Sequence, residues 1–294
     1  MKRSIHYINR KTGEKVLETP PNSRLLSFLY GSYAGKLTLE TLFKRKFLSD
    51  WAGKYANKKR SKKRIQKFIT DHQMDMSDYI IPAEGYSSFN EFFYRKIKNG
   101  ARVIGQGVVS PADGKILVFD KIDSTAKFNI KGIEFNLSQF LNSGNGLIDK
   151  YNDGSMVVIR LAPTDYHRFH FAVSGKVSET VKIKGWLYSV SPLALKNTFS
   201  IFCHNKREYN IISTDQYGEV LHCDVGATMV GSIFQTFDEN NLVRKGDEKG
   251  YFAFGGSTVV LLFEKGKVKF SADLINNTKK GLETSILMGE TIGL

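Results

Sequence analysis

The chain has 294 residues, 41% of them hydrophobic and 12% aromatic, which is enough to bury a substantial core and excludes general disorder. Its formal net charge of +14, from 43 Lys+Arg against 29 Asp+Glu, attracts polyanions without choosing between nucleic acid and an anionic lipid surface. Two cysteines, Cys203 and Cys223, exclude a disulfide framework and read as packing residues in a reducing compartment, while apolar runs such as Val259-Val260-Leu261-Leu262-Phe263 fall far short of the roughly 20 residues of a membrane-spanning helix. The N-terminus, Met1-Lys2-Arg3-Ser4, continues polar and lacks the apolar stretch of a secretory signal, so export is not expected.

In chain order, residues 23–71 and then 88–98 read as helical, and residues 1–104 carry the basic excess. Leu25, Leu26, Phe28, Leu29, Leu37, Leu39, Leu42, Phe43 and Phe47 recur near helical spacing with Lys36, Lys44, Arg45 and Lys46 between them, the pattern of an interfacial amphipathic segment. The run Lys58-Lys59-Arg60-Ser61-Lys62-Lys63-Arg64 is a solvated helix face or a lipid-binding one, with nucleic-acid binding as a third reading. From about Val103 the pattern changes to short β-rich runs divided by Gly and Asp: 115–119, 155–160, 169–173, 182–183, 225–233, 259–263 and 268–270. The fold class expected is α+β, a helical, basic, membrane-associating region over 1–104 followed by a β-rich catalytic domain over 105–294.

Three segments hold chemistry: Ser110-Pro111-Ala112-Asp113-Gly114-Lys115, Asp165-Tyr166-His167-Arg168-Phe169-His170 and Phe254-Gly255-Gly256-Ser257-Thr258. A carboxylate, two histidines and a hydroxyl have the composition of a nucleophilic triad. Singly, each has a plainer reading. Asp113 suits a β-turn, a lone histidine suits a hydrogen-bonded core position, and Gly255-Gly256-Ser257 suits a tight turn before a buried strand. The glycines do not form a Gly-x-Ser-x-Gly elbow or a phosphate-binding loop, and His72, His204 and His222 are too scattered to complete a metal site.

Taken together, the three segments resemble the signature set of the phosphatidylserine decarboxylases. So do Phe89-Asn90-Glu91-Phe92-Phe93-Tyr94-Arg95-Lys96, Lys131-Gly132-Ile133-Glu134-Phe135-Asn136-Leu137 and Val225-Gly226-Ala227-Thr228-Met229-Val230-Gly231-Ser232-Ile233, in the same order along the chain. The resemblance implies self-cleavage between Gly256 and Ser257, which divides the chain into residues 1–256 and 257–294 and converts Ser257 into a covalent pyruvoyl group, with no metal. Gly255 stands where the commonest form of the motif has leucine. By the same resemblance Asp113, His170 and Ser257 are the maturation triad and His167 assists decarboxylation.

The activity so implied is loss of carbon dioxide from phosphatidylserine to give phosphatidylethanolamine, through a Schiff base between the pyruvoyl ketone and the substrate amine. The implied partners are an anionic phospholipid membrane, met peripherally from the cytoplasmic side of the cell membrane, the two cleavage-product chains themselves and a second copy of the chain in a homo-oligomer; nucleic acid is not among them. Two alternatives stay open. One keeps pyruvoyl chemistry on another serine-headed lipid or a small amino acid, and the other is a non-catalytic basic module for membranes or RNA.

Overall fold

The computed structural model describes residues 5–18, 53–122, 137–142, 145–186, 201–227, 233–253, 255 and 257–294. The amphipathic segment expected over 25–47, the motif residues 131–136 and 228–232, Phe254 and Gly256 lie outside the described residues. Within them the molecule is α+β and rich in strands.

The strands in chain order are β1 Ile5–Ile8, β2 Lys15–Glu18, β3 Val108–Val109, β4 Gly114–Phe119, β5 Ser155–Leu161, β6 Arg168–His170, β7 Gly175–Val177 and β8 Val181–Ile183. They continue with β9 Arg207–Thr214, β10 Gly218–Gly226, β11 Ile233–Gln235, β12 Leu242–Val243, β13 Glu248–Phe252, β14 Ser257–Phe263, β15 Glu283–Ile286 and β16 Thr291–Gly293. An eleven-stranded sheet runs β12-β7-β9-β10-β14-β5-β4-β15-β1-β2, with β8 also on β9, and a three-stranded sheet runs β11-β13-β6.

At the centre of the large sheet, β5 (Ser-Met-Val-Val-Ile-Arg-Leu) and β14 (Ser-Thr-Val-Val-Leu-Leu-Phe) are buried at every position. Strands covered on both faces need near-continuous apolar sequence, which is what these carry. One face, with Leu117, Val158, Val260 and Cys223, packs beside the helices Leu137–Leu141 and Asn145–Tyr151. The other face, with Ile159, Leu161, Val259 and Leu261, packs on Phe169, Phe252 and Ile233 of the small sheet and on Leu274 of the helix Ala272–Lys279.

Three sequence expectations are corrected. Residues 5–18 form a strand pair, not helix, because Ile5-His6-Tyr7-Ile8 and Lys15-Val16-Leu17-Glu18 are joined by a turn in which Gly13 holds a φ of 72°. This hairpin pairs β1 with β15 and so forms one end of the large sheet. The helix expected over 88–98 spans Phe89–Phe93, started by Ser88 accepting from the Glu91 amide, and it stops because Arg95 turns inward and Ile97 bridges to Tyr79. The run 268–270 is no strand and contributes only a bridge from Phe270 to Gly293.

The hairpin is tied to the core by charge. Arg160 of β5, whose side chain is 4% exposed, donates to both carboxylate oxygens of Glu283 and of Glu18 at 2.7–3.1 Å. Each carboxylate neutralises part of a guanidinium that could not be buried alone.

Candidate active site

Strand register brings the three sequence segments to one end of the large sheet. Thr258 pairs with Arg160 and Arg160 with Lys115, so Ser257, the end of β5 and the start of β4 form the next row. Asp113 precedes β4 and therefore starts two strand spacings, about 10 Å, from Ser257. The chain leaving β5 turns at Ala162 and brings His167 to just before β6 and His170 to its end, and β6 faces the Ser257 side of the sheet.

The turn is built by charge. Asp165 accepts from the Ala162 amide at 2.8 Å and holds Lys115 Nζ at 3.0 Å. Burial pushes its carboxyl up, but Lys115 and the Ala162 amide outweigh that and leave it below the ordinary value. Arg95, 2% exposed, stacks 4.2 Å over the Tyr79 ring and donates to the carbonyls of Thr164 and Asp165, fastening the turn from the other side.

His167 is fully buried, with its ring 3.8 Å from that of Phe93. Its Nδ1–H donates to the Asp165 carbonyl at 2.9 Å, which leaves the lone pair on Nε2. That Nε2 has no partner of hydrogen-bonding geometry among the described residues, although the Gly255 backbone lies near enough to favour the charged ring. Desolvation dominates and depresses the His167 pKa to about 3.

His170 is held otherwise. Its Nδ1–H donates to the Gly246 carbonyl at 2.9 Å, and its Nε2 accepts from the Tyr166 hydroxyl at 3.0 Å. Burial lowers its pKa, with Gly246, Glu248 and Asp113 pulling the other way. Asp113, 4% exposed, is not a hydrogen-bond partner of His170: its carboxylate accepts from Arg102 at 3.0 Å and from the Met288 amide at 2.7 Å. Arg102 also pairs with Asp78. Burial raises the Asp113 pKa in spite of Arg102 and Met288.

Ser257 begins β14 with no exposed surface, and its Oγ has no hydrogen-bond partner among the described residues. The preceding Gly255 adopts a φ of 137°, a conformation that side chains other than glycine's rarely tolerate. The leucine common at this position of the motif would be strained here. A buried hydroxyl without a partner costs free energy, so it points to a role other than holding the fold.

A family model described as phosphatidylserine decarboxylase matches residues 89–294. The phosphatidylserine decarboxylase proenzyme of Fusobacterium nucleatum subsp. nucleatum is 52% identical over 292 residues, covering 98% of this chain and 97% of that protein. Proteins of the same name from Clostridium botulinum (strain Hall) and Ruminiclostridium cellulolyticum are 43% and 44% identical, covering 99% and 98% of this chain and 99% and 97% of their own lengths. The chain belongs to the phosphatidylserine decarboxylase family.

For a decarboxylase of this family the structure adds residues that the sequence reading passed over. Arg102, Tyr166, Arg95 and the Met288 amide hold Asp113, His170 and the His167 turn in place. Tyr166 and Asp165 stood beside the histidines in one motif and Arg95 in the motif Phe89–Lys96, none with a chemistry assigned from sequence. Arg102 and Met288 meet Asp113 only through the fold.

His167, His170 and His222 are all buried with depressed pKa values, desolvation being the largest cause for each. The unfolded chain therefore binds more protons than the folded one below the ordinary histidine pKa of 6.5, and stability falls as the pH drops from there toward about 3. In thermal melts on a Ser257→Ala background, His167→Asn is expected to reduce the slope of Tm against pH between 6.5 and 5. Equal slopes with and without His167 would contradict its burial in the neutral form.

Proposed function

We propose that the chain is a phosphatidylserine decarboxylase that matures by cutting itself before Ser257. The observation that carries this reading is the partnerless Ser257 hydroxyl, buried at the end of the sheet to which the histidine segment also comes, in a chain whose relatives are named proenzymes.

His170, neutral and with its lone pair on Nε2, accepts the Ser257 proton; Tyr166 yields that position as the serine turns toward it. Asp113 does not orient the ring by a bond but lies near enough for its charge to favour the imidazolium that forms. Ser257 Oγ bonds to the Gly256 carbonyl carbon, the peptide C–N bond breaks, and the proton passes to the released amine to leave an ester. Removal of the Ser257 Cα proton expels Gly256 as a carboxylate and leaves dehydroalanine. Its imine tautomer is hydrolysed, with loss of ammonia, to a pyruvoyl group at residue 257.

A small, non-hydrogen-bonded position at a strand start fits that group, which replaces a hydroxyl already lacking a partner. The pyruvoyl carbonyl supplies the electron sink that no side chain offers when carbon dioxide leaves the substrate. His167, whose Nε2 faces the Gly255 side, is placed to return a proton to the product carbon.

The substrate reading adds a membrane. Lys58, Lys59, Arg60, Lys62, Lys63 and Arg64 are exposed on and beside the 3-10 helix Lys59–Arg64, and no helix among the described residues is long and apolar enough to cross a bilayer. Basic residues at an anionic surface contribute about 1 kcal/mol each. Binding to phosphatidylserine vesicles is expected to weaken between about 0.1 and 1 M salt, as the Debye length shrinks from about 10 to about 3 Å. Cosedimentation unchanged by salt would leave the charge without this role.

Intact mass of the purified protein and release of carbon dioxide from phosphatidylserine vesicles, compared with free serine, test the whole reading. An active preparation made of one uncut chain would overturn it.

A further inference from the structure

The face of the large sheet that carries Ser257 also carries a buried charge cluster, packed against Phe169 of the histidine segment. Gly226 of β10 pairs with Ser257, and Asp224, two residues earlier on the same face, therefore stands diagonal to Ser257 at about 7–8 Å between Cα atoms. Opposite it lies Lys249 of β13, fully buried, with Nζ 2.5 Å from Asp224 Oδ2 and 3.0 Å from Gln235 Oε1. Gln235 of β11 closes the triangle by donating to Asp224 at 3.0 Å. The remaining titratable groups are His222 on β10, whose Nε2 is 3.1 Å from Asp224 Oδ1 without hydrogen-bonding geometry, and Glu208 on β9, which pairs with Lys206 and faces Gln235.

Lys249 is the extra residue of a β-bulge. Glu248 pairs with His170 and Gly250 with Phe169, so β13 spends three residues where β6 spends two. The bulge turns the Lys249 side chain inward between the rings of Phe169 and Phe237, each 5.4 Å from Nζ, and the next residue back registers His170. An apolar side chain would fill this place in many rotamers, whereas an ion pair across the layers holds one spacing.

We propose that Lys249, locked on Asp224, is a positioning residue for self-cleavage: the pair fixes the layer bearing His170 against the strand bearing Ser257. The inference rests on the self-processing reading above. Its consequence is that stability and processing separate when the pair is replaced. Breaking one partner leaves a buried charge and damages both, but replacing both by apolar groups restores folding without restoring the spacing.

Wild type, Lys249→Met, the double variant Lys249→Met/Asp224→Leu and Asp224→Asn are compared by thermal melting and by intact-mass time courses after cell-free synthesis. The expected result is a lowered Tm for Lys249→Met, a Tm near wild type for the double variant, and cleavage at least about tenfold slower in both. Asp224→Asn, which keeps the shape and a hydrogen-bond acceptor for Lys249 but not the charge, is expected to fold with a Tm below wild type and to cleave several-fold more slowly, so the prediction stands on it if the double variant does not fold. A folded double variant or Asp224→Asn cleaving at the wild-type rate overturns the positioning role. A wild-type chain that stays whole overturns the processing reading itself, which keeps the two failures apart.

Discussion

Ser257→Ala is expected to remain a single chain of residues 1–294 under conditions in which wild type divides into 1–256 and 257–294. The variant loses the only atom that can attack the Gly256 carbonyl in this scheme, so the loss is complete and not graded. It is also expected to fold at least as well as wild type. Ser257 is fully buried and its hydroxyl has no partner among the described residues, and removing an unsatisfied polar group from an apolar strand costs nothing in hydrogen bonding. Intact mass and Tm together make the test sharp: an uncut chain with an unchanged or raised Tm isolates the chemistry, whereas fragments from the alanine variant would remove Ser257 as nucleophile.

The two histidines are expected to separate by stage. His170→Ala slows the appearance of the two fragments by about 10²–10⁴-fold, the range of a positioned general base. His167→Ala leaves fragments forming but abolishes most carbon dioxide release per processed chain. A specific observation favours testing the reverse as well: Nε2 of His167 is the ring nitrogen without a partner beside Gly255, while Nε2 of His170 is occupied by Tyr166. Fragment formation lost in His167→Ala and kept in His170→Ala would exchange the two roles. Tyr166→Phe sharpens the comparison, because it frees His170 Nε2 and is expected to leave self-cleavage intact or faster.

Much of this was legible in the residues. The uninterrupted apolar runs of β5 and β14 announced buried strands, because a strand covered on both faces leaves no position for water to reward a polar side chain. The ordered motifs around Asp113, His167, His170 and Ser257 carried the family resemblance without any coordinates. β9 and most of β10 escaped notice for the opposite reason. Their buried positions hold Arg207, Glu208, Asn210, His222 and Asp224, which break the apolar pattern by which a core strand is read and draw partners distant in sequence, such as the Phe140 carbonyl for Arg207 and Gln235 for Asp224.

The hairpin β1–β2 was missed similarly, since four-residue strands carry little periodic signal and this one gains its place from Glu18 on Arg160 and from pairing with β15. What the sequence determined by itself was which residue types are present for the proposed chemistry and the order in which they follow one another, both properties of neighbours along the chain. Tertiary structure alone decided who holds them. Asp113 rests on Arg102 and Met288 and not on His170, and His170 takes Gly246 beside its near neighbour Tyr166, because the contacts to Arg102, Met288 and Gly246 join residues 11 to 175 positions apart, where no local pattern reaches.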